Sequence, residues 1–364
     1  MGLRARHILI ASGLAFTGCM FSRVDTKLPA SNVQSMAVGD LDGDGHMDLV
    51  VAHGPVSGDR DPRPTVSALL SQGNGTFVTR FTPFGDRTAR RVLLEDLDGD
   101  GRVDLVVLGR DADGLGPVQV YLGQGNGTFD GRVDVALVSP GGIAVGDLDG
   151  DGKPDLIMSD ADGNRLLLAF GQGDGTFERQ AAHEGLRGRE IALGDVDGDG
   201  QLDVLVLGAE VHVLLNRGGV LREATPVAVS PSASAMKLAD LNDDGVLDLV
   251  VVEPDENALT VFPGLGQGRF GSAQRLSVGA GPRDVAMADV DGDGHLDLIS
   301  ADREADEISV LLGRGDCTFE DRRAFAVGAQ PAHVVAADVT GDEKMDIVTA
   351  NASGSVTVLI NALQ

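Results

Sequence analysis

The 364-residue chain carries 56 acidic against 29 basic residues, a net charge of −27, and is 42% hydrophobic. The apolar share is enough for a core, while the charge argues against nucleic acid, which demands basic patches. Two cysteines cannot make a disulfide framework, and a chain with no Trp and one Tyr is poorly equipped to stack on sugars.

Residues 1–18 join a basic start to the apolar run Ile8-Leu-Ile-Ala-Ser-Gly-Leu-Ala-Phe16, followed by Thr17 and Gly18. This reads as a secretory signal, too short in its apolar part to span a bilayer. Small residues ahead of Cys19 resemble a bacterial lipoprotein signal, which implies that Cys19 becomes the lipidated first residue. Phe16 departs from that pattern, where Leu is usual, and simple secretion with cleavage near Gly18 is the alternative. Met1-Gly2 is a poor myristoylation signal because Arg6 stands where Ser or Thr is wanted. Residues 19–30 are read as a tether that also supplies a strand.

From residue 31 the chain repeats one unit. Val33-Gln-Ser-Met-Ala-Val38 predicts a strand entering the acidic loop 40–48, and Leu49-Val-Val-Ala52 a strand leaving it. The unbroken apolar run of the second implies burial on both faces. Thr65-Val-Ser-Ala-Leu-Leu70 predicts a third strand, Gln72-Gly-Asn-Gly-Thr-Phe77 a turn, and a fourth strand begins near Val78. The loop returns at 96–104, 147–155, 195–203, 240–248, 289–297 and 338–346, with first-Asp spacings of 56, 51, 48, 45, 49 and 49 residues. The turn returns with its Phe at 129, 177, 270 and 319, and decays to Asn216-Arg-Gly-Gly-Val-Leu221 in the fourth unit. A Phe at a fixed place in each turn is most simply a packing residue. Cys317 takes a glycine's place in the sixth turn and is expected to be a buried or half-buried thiol.

Oxygens at positions 1, 3, 5 and 9 of a glycine-bent loop make a hard-cation cage, with calcium as the natural occupant. They are Asp40, Asp42, Asp44 and Asp48; Asp96, Asp98, Asp100 and Asp104; Asp147, Asp149, Asp151 and Asp155; Asp195, Asp197, Asp199 and Asp203; Asp240, Asn242, Asp244 and Asp248; and Asp289, Asp291, Asp293 and Asp297. One copy could be a plain acidic turn. Near-constant recurrence argues strongly against that. The seventh loop keeps Asp338, Asp342 and Asp346 but has Thr340 at position 3 and Glu343 for the second glycine, which leaves its occupancy open. An EF-hand is rejected: position 12 of the first loop is Val51, not Glu, and the flanks are strands.

Four short strands per unit and seven units predict an all-β, seven-bladed β-propeller spanning 31–361. An open solenoid is the rival. The last unit stops after its third strand, Val356-Thr-Val-Leu-Ile360, and residues 23–30 align with the fourth-strand segment 323–331, so the N-terminus can close the ring.

The Asp-x-Asp-Gly-Asp-Gly-x-x-Asp loops, their Asp-Leu-Val-Val exits and the Gly-x-Gly-x-x-Phe turns resemble the FG-GAP/VCBS repeats of integrin α-subunit propellers. The resemblance implies calcium in the link between first and second strands, about six ions in all. Position 7 would lend a backbone carbonyl: His46, Arg102, Lys153, Gln201, Val246 and His295. The two histidines would then turn their rings to solvent. No nucleophile or phosphate-loop motif stands out, so the expected role is a monomeric, secreted binding or adhesion module for a protein or glycan at the cell surface, touching the membrane only through its lipid. A polysaccharide lyase or hydrolase is the alternative. The face opposite the loops, with Arg90, Arg91, Arg187, Arg189, Arg283, Arg303, His333 and the insertions 54–64 and 110–117, is the expected partner face, unless those arginines only pair with Asp86, Glu190 and Asp284.

Overall fold

Seven four-stranded antiparallel sheets contain all 28 strands of the computed structural model, which describes residues 21–28, 32–54, 66–82, 88–110, 116–138, 140–160 and 163–362. The signal segment, Cys19, Asp86 and most of the two insertions lie outside the described residues. Among the described residues, helix is confined to one 3-10 turn, Pro254–Glu256.

Each sheet is a meander of consecutive strands and forms one blade. Blade one runs Val33–Gly39, Asp48–His53, Val66–Ser71 and Phe77–Thr82. Blade four is the most reduced, with a fourth strand of only three residues, Leu221–Glu223. Blade seven takes its first three strands from Pro331–Ala337, Asp346–Asn351 and Ser355–Asn361 and its fourth from Phe21–Lys27. Phe21 pairs with Asn361 and Lys27 with Ser355, so the two ends of the chain share one sheet and the ring closes.

The second strands are buried along their whole length in blades one, three, four, five, six and seven. That follows from their place inside a sheet covered on both faces by neighbouring blades. Fourth strands such as Gln274–Ser277 and Arg323–Ala326 alternate, because only one side of the blade edge is covered. The core is seven clusters, each shared by two adjacent blades. Val50, Val66 and Leu70 of blade one meet Val92, Leu105 and Tyr121 of blade two, and Leu49 and Leu69 of blade one meet Val348 and Val356 of blade seven. Seven interfaces for seven blades leave no terminal unit, which an open solenoid would need. The recurring Phe residues lie in these interfaces: Phe129 and Phe319 are buried, and Phe77, Phe177 and Phe270 pack partly buried.

The acidic loops join first and second strands at one face of the disc. On the other face, the first strands of blades one, two, three, six and seven bulge beside Gln34, Arg90, Gly141 and Gly142, Arg283 and Ala332. A bulge bends the strand and re-aims its side chains, so this rim differs from blade to blade.

Candidate metal centres

Position 9 anchors every loop. Asp48, Asp104, Asp155, Asp203, Asp248, Asp297 and Asp346 open the second strands and are almost wholly shut from solvent. One oxygen accepts the backbone N–H of loop position 2, as Asp48 Oδ2 does from Leu41 at 2.9 Å. The other accepts an N–H from the end of the third strand, as Asp48 Oδ1 does from Ser71 at 2.7 Å. The same pair recurs on Asp297 from Val290 and Gly313, both at 2.8 Å. Position 2 itself is a buried apolar plug: Leu41, Leu97, Leu148, Val196, Leu241, Val290 and Val339.

Position 1 folds the rest of the loop around itself. Asp40 accepts the N–H groups of Gly43 at 2.8 Å and Gly45 at 3.0 Å, both glycines being left-handed with φ of 75° and 86°. Glycine takes that conformation at no steric cost. The seventh loop is less worn than its sequence suggests, because Glu343 adopts φ 65° and still donates to Asp338 Oδ2 at 2.7 Å. In the fifth loop Asp243 replaces the first glycine and also turns left-handed, with φ 57°.

The structure gathers positions 1, 3 and 9 more tightly than position 5. Carboxylate oxygens lie within 4.8 Å of one another in Asp40, Asp42 and Asp48; Asp96, Asp98 and Asp104; Asp147, Asp149 and Asp155; and Asp289, Asp291 and Asp297. The fourth loop instead gathers Asp195, Asp197 and Asp199. In the fifth loop the Asn242 amide oxygen accepts the Asp244 N–H at 3.0 Å, and in the seventh the Thr340 hydroxyl reaches Asp342 and Asp346 at 3.2 and 3.1 Å. Asp44, Asp100, Asp151 and Asp293 stand outside their groups and accept the position-7 N–H two residues on, each at 2.9 Å. Asp244 accepts likewise from Val246. This is the local turn that a short acidic side chain makes with its own backbone.

Two of these carboxylates call for a cation. Asp42 Oδ1 and Asp197 Oδ1 are shut from solvent and accept no hydrogen bond, and the Asp197 side chain is only 5% exposed. A buried, unpartnered carboxylate oxygen is costly, and a hard cation with oxygen ligands relieves that cost. The donor set therefore fits calcium. Burial pushes the Asp48, Asp203 and Asp297 carboxyls up to about 6, two backbone N–H donors pulling the other way and neighbouring aspartates adding to the rise. Asp104, Asp155 and Asp346 rise for the same first reason. A bound dication would reverse this direction.

The chain's own cations also enter the loops. Arg102 pairs with Asp100, Lys153 with Asp151 at 2.9 Å, and Lys344 with Asp342 at 3.5 Å. Arg217 pairs with Asp197 and with Asp199 at 2.7 Å. Arg217 escaped the sequence reading. It stands in the decayed fourth turn where blades one to three have Gln72, Gln124 and Gln172, and that change of charge was the available signal.

His46 and His295 do not simply face solvent. Position 7 leans over the glycine turn of its own blade: a Cβ on Gly73 would fall 2.9 Å from His46 Nε2, and one on Gly315 2.4 Å from the His295 ring. The His46 ring also lies against Gly341 of the seventh loop, its Nδ1 buried without a partner. His295 Nδ1 sits 3.7 Å from Asp243 of the fifth loop. Cys317 is the buried thiol expected, with φ 60°; its Sγ donates to Asp248 Oδ2 at 3.3 Å.

On the opposite face the arginines divide. Arg91 holds Glu190 through two hydrogen bonds of 2.8 and 2.5 Å, bridging blades two and four. Arg189 donates to the Gly208 carbonyl at 2.8 Å, and His333 meets Asp284 at 3.3 Å and the Gln34 carbonyl at 2.5 Å. Arg187 and Arg283 remain exposed. Tyr121 is buried, hence no stacking platform.

The FG-GAP-like repeat family model matches residues 40–107, 96–158, 147–206, 240–300 and 289–349. Each window runs from one acidic loop through the next; the pair formed by the fourth and fifth loops, which brackets the decayed turn, has no window. Among solved structures, two crystals of BBS1N in complex with ARL6DN, soaked with lead or with mercury, contain chains of the same fold. They align with TM-scores of 0.65 and 0.66 at 14% identity, covering 94% of this chain and 96% of theirs. No curated protein matches the sequence. The matched windows span most of the chain, which belongs to the FG-GAP-like repeat family.

Proposed function

We propose that this FG-GAP-like propeller is a calcium-stabilised binding module, held at a cell surface by a lipid on Cys19, which engages a protein partner through the face opposite its acidic loops. The observation that carries the calcium reading is the gathering of three carboxylates in each of five loops, with buried oxygens on Asp42 and Asp197 that have no donor. Positions 1, 3 and 9 would hold the ion. The fifth loop would bind through Asp240, Asn242 and Asp248. Calcium supplies charge neutralisation and a fixed loop shape; the chain itself orients the carboxylates through backbone N–H groups.

A protein partner is favoured for two reasons. Arg187 and Arg283 stand exposed on a chain of net charge −27, and guanidinium groups grip carboxylates in fork geometry. BBS1N, of the same fold, was crystallised with the protein ARL6DN.

Calorimetric titration of the chelator-stripped protein tests the metal reading. Five or six calcium equivalents, with dissociation constants on the order of 10⁻⁴–10⁻³ M, are expected for extracellular sites. Absence of calcium heat at millimolar concentration would overturn it.

A further inference from the structure

The closing strand has a direction that the anchor must obey. Phe21 pairs with Asn361, whose N–H donates to Asp346 at the foot of the seventh acidic loop, while Lys27 pairs with Ser355 at the opposite face. The chain therefore enters the propeller at the acidic-loop face, on the outer edge of blade seven. Cys19 is two residue steps from Phe21, a reach of about 7 Å even when fully extended. A lipid on Cys19 leaves the acidic-loop side of blade seven against the bilayer.

A second observation marks the same face. The exposed large hydrophobic residues among the described residues are Met47, Val78, Val220, Leu265 and Met345. Met47 and Met345 occupy position 8 of the first and seventh loops, which meet where the His46 ring lies against Gly341. Val220 and Leu265 project from the turns between third and fourth strands of blades four and five. Val78 follows the same turn in blade one. All five lie on or beside the acidic-loop face, and Leu265 is 58% exposed.

We infer that the acidic-loop face is the membrane-facing surface, and that its occupant is the phospholipid bilayer itself. Carboxylate loops repel anionic headgroups until cations fill them; once filled, the exposed Met, Leu and Val side chains can enter the headgroup layer. This rests on the lipid-anchor reading proposed above, and it turns Arg187 and Arg283 outward.

The test uses the lipidated protein reconstituted with calcium in phosphatidylcholine–phosphatidylglycerol vesicles containing headgroup spin-labelled lipid. A fluorophore is placed on L265C, or on E256C in the 3-10 turn of the opposite face. Both sites are exposed, and the native Cys317 is buried, so labelling leaves the core intact. Quenching severalfold stronger at residue 265 is expected; equal quenching, or the reverse order, would overturn the inference. The mass of the N-terminal peptide decides the anchor separately. If Cys19 carries no lipid, the anchor reading falls. The same labels on protein that also carries Cys19→Ser, added to calcium-containing vesicles, then decide the face: quenching confined to residue 265 upholds it, and equal quenching or none at either site overturns it.

Discussion

Asp297 sits in a nearly dry place, held there by two backbone N–H groups that point at it. Replacing it by alanine leaves both donors buried and unanswered, a loss on the order of 3 kcal/mol. Asp342 is exposed, and its partners, Lys344 and the Thr340 hydroxyl, stay within reach of water when it is lost, so it has nothing comparable to lose. Asp297→Ala should therefore lower the urea midpoint far more than Asp342→Ala, and equal shifts would contradict the anchoring role.

Two buried groups away from the loops carry opposite pH dependence. Asp302 takes hydrogen bonds from Ser300, Ser309 and the Gly279 N–H, yet burial raises its carboxyl to about 6 from 3.8. Its protonated form favours folding, so that contribution is complete below about pH 4 and lost by about pH 6. Burial lowers His53 to about 4 from 6.5, with only Nε2 partnered, by Ser67 at 2.9 Å. The unfolded chain then binds the proton first, and stability falls as pH drops from 6.5 toward 4. Relative to wild type, Asp302→Asn should gain stability on going from pH 4 to pH 7, and His53→Asn should gain it in the other direction. Denaturant midpoints at the two pH values check both signs, and the difference from wild type cancels the titrating loop aspartates.

At the scale of elements, the closing strand decides whether blade seven has an open edge. Phe21–Lys27 covers Ser355–Asn361, Asp25 accepts the Thr357 hydroxyl at 2.6 Å, and Phe21 meets Phe325 of blade six edge-on, ring centroids 5.2 Å apart. Removing residues through 27 uncovers a hydrogen-bonding edge that invites pairing between copies. The truncated protein should melt lower and elute as associated species in gel filtration. A monomer of unchanged stability would show that the strand adds nothing.

For the whole molecule, charge and closure act together. The ring holds many carboxylates on one face, and ligands that bind only the folded state raise its stability by mass action. Excess chelator should lower the melting temperature markedly; an unchanged curve would remove calcium from the account of stability. Reversing Arg187 and Arg283 together should weaken partner capture at the cell surface. Reversing Arg102 and Lys153, which already pair with loop aspartates, should leave it intact, and equal losses would place the partner elsewhere.

Much of this was readable without coordinates because it is periodic. Seven acidic loops, their apolar exits and the glycine turns state one unit many times over, and repetition of a unit that cannot bury itself implies stacked blades. The missing fourth strand of the last unit pointed to closure by the N-terminus, because an open sheet edge is unstable. The Arg217 guanidinium in the fourth loop, the His46 ring against Gly341 and the choice of Arg91, two blades away, as the partner of Glu190 were decided by tertiary structure alone. Each joins residues from different strands or blades, and sequence spacing carries no record of which side chains a closed ring brings face to face.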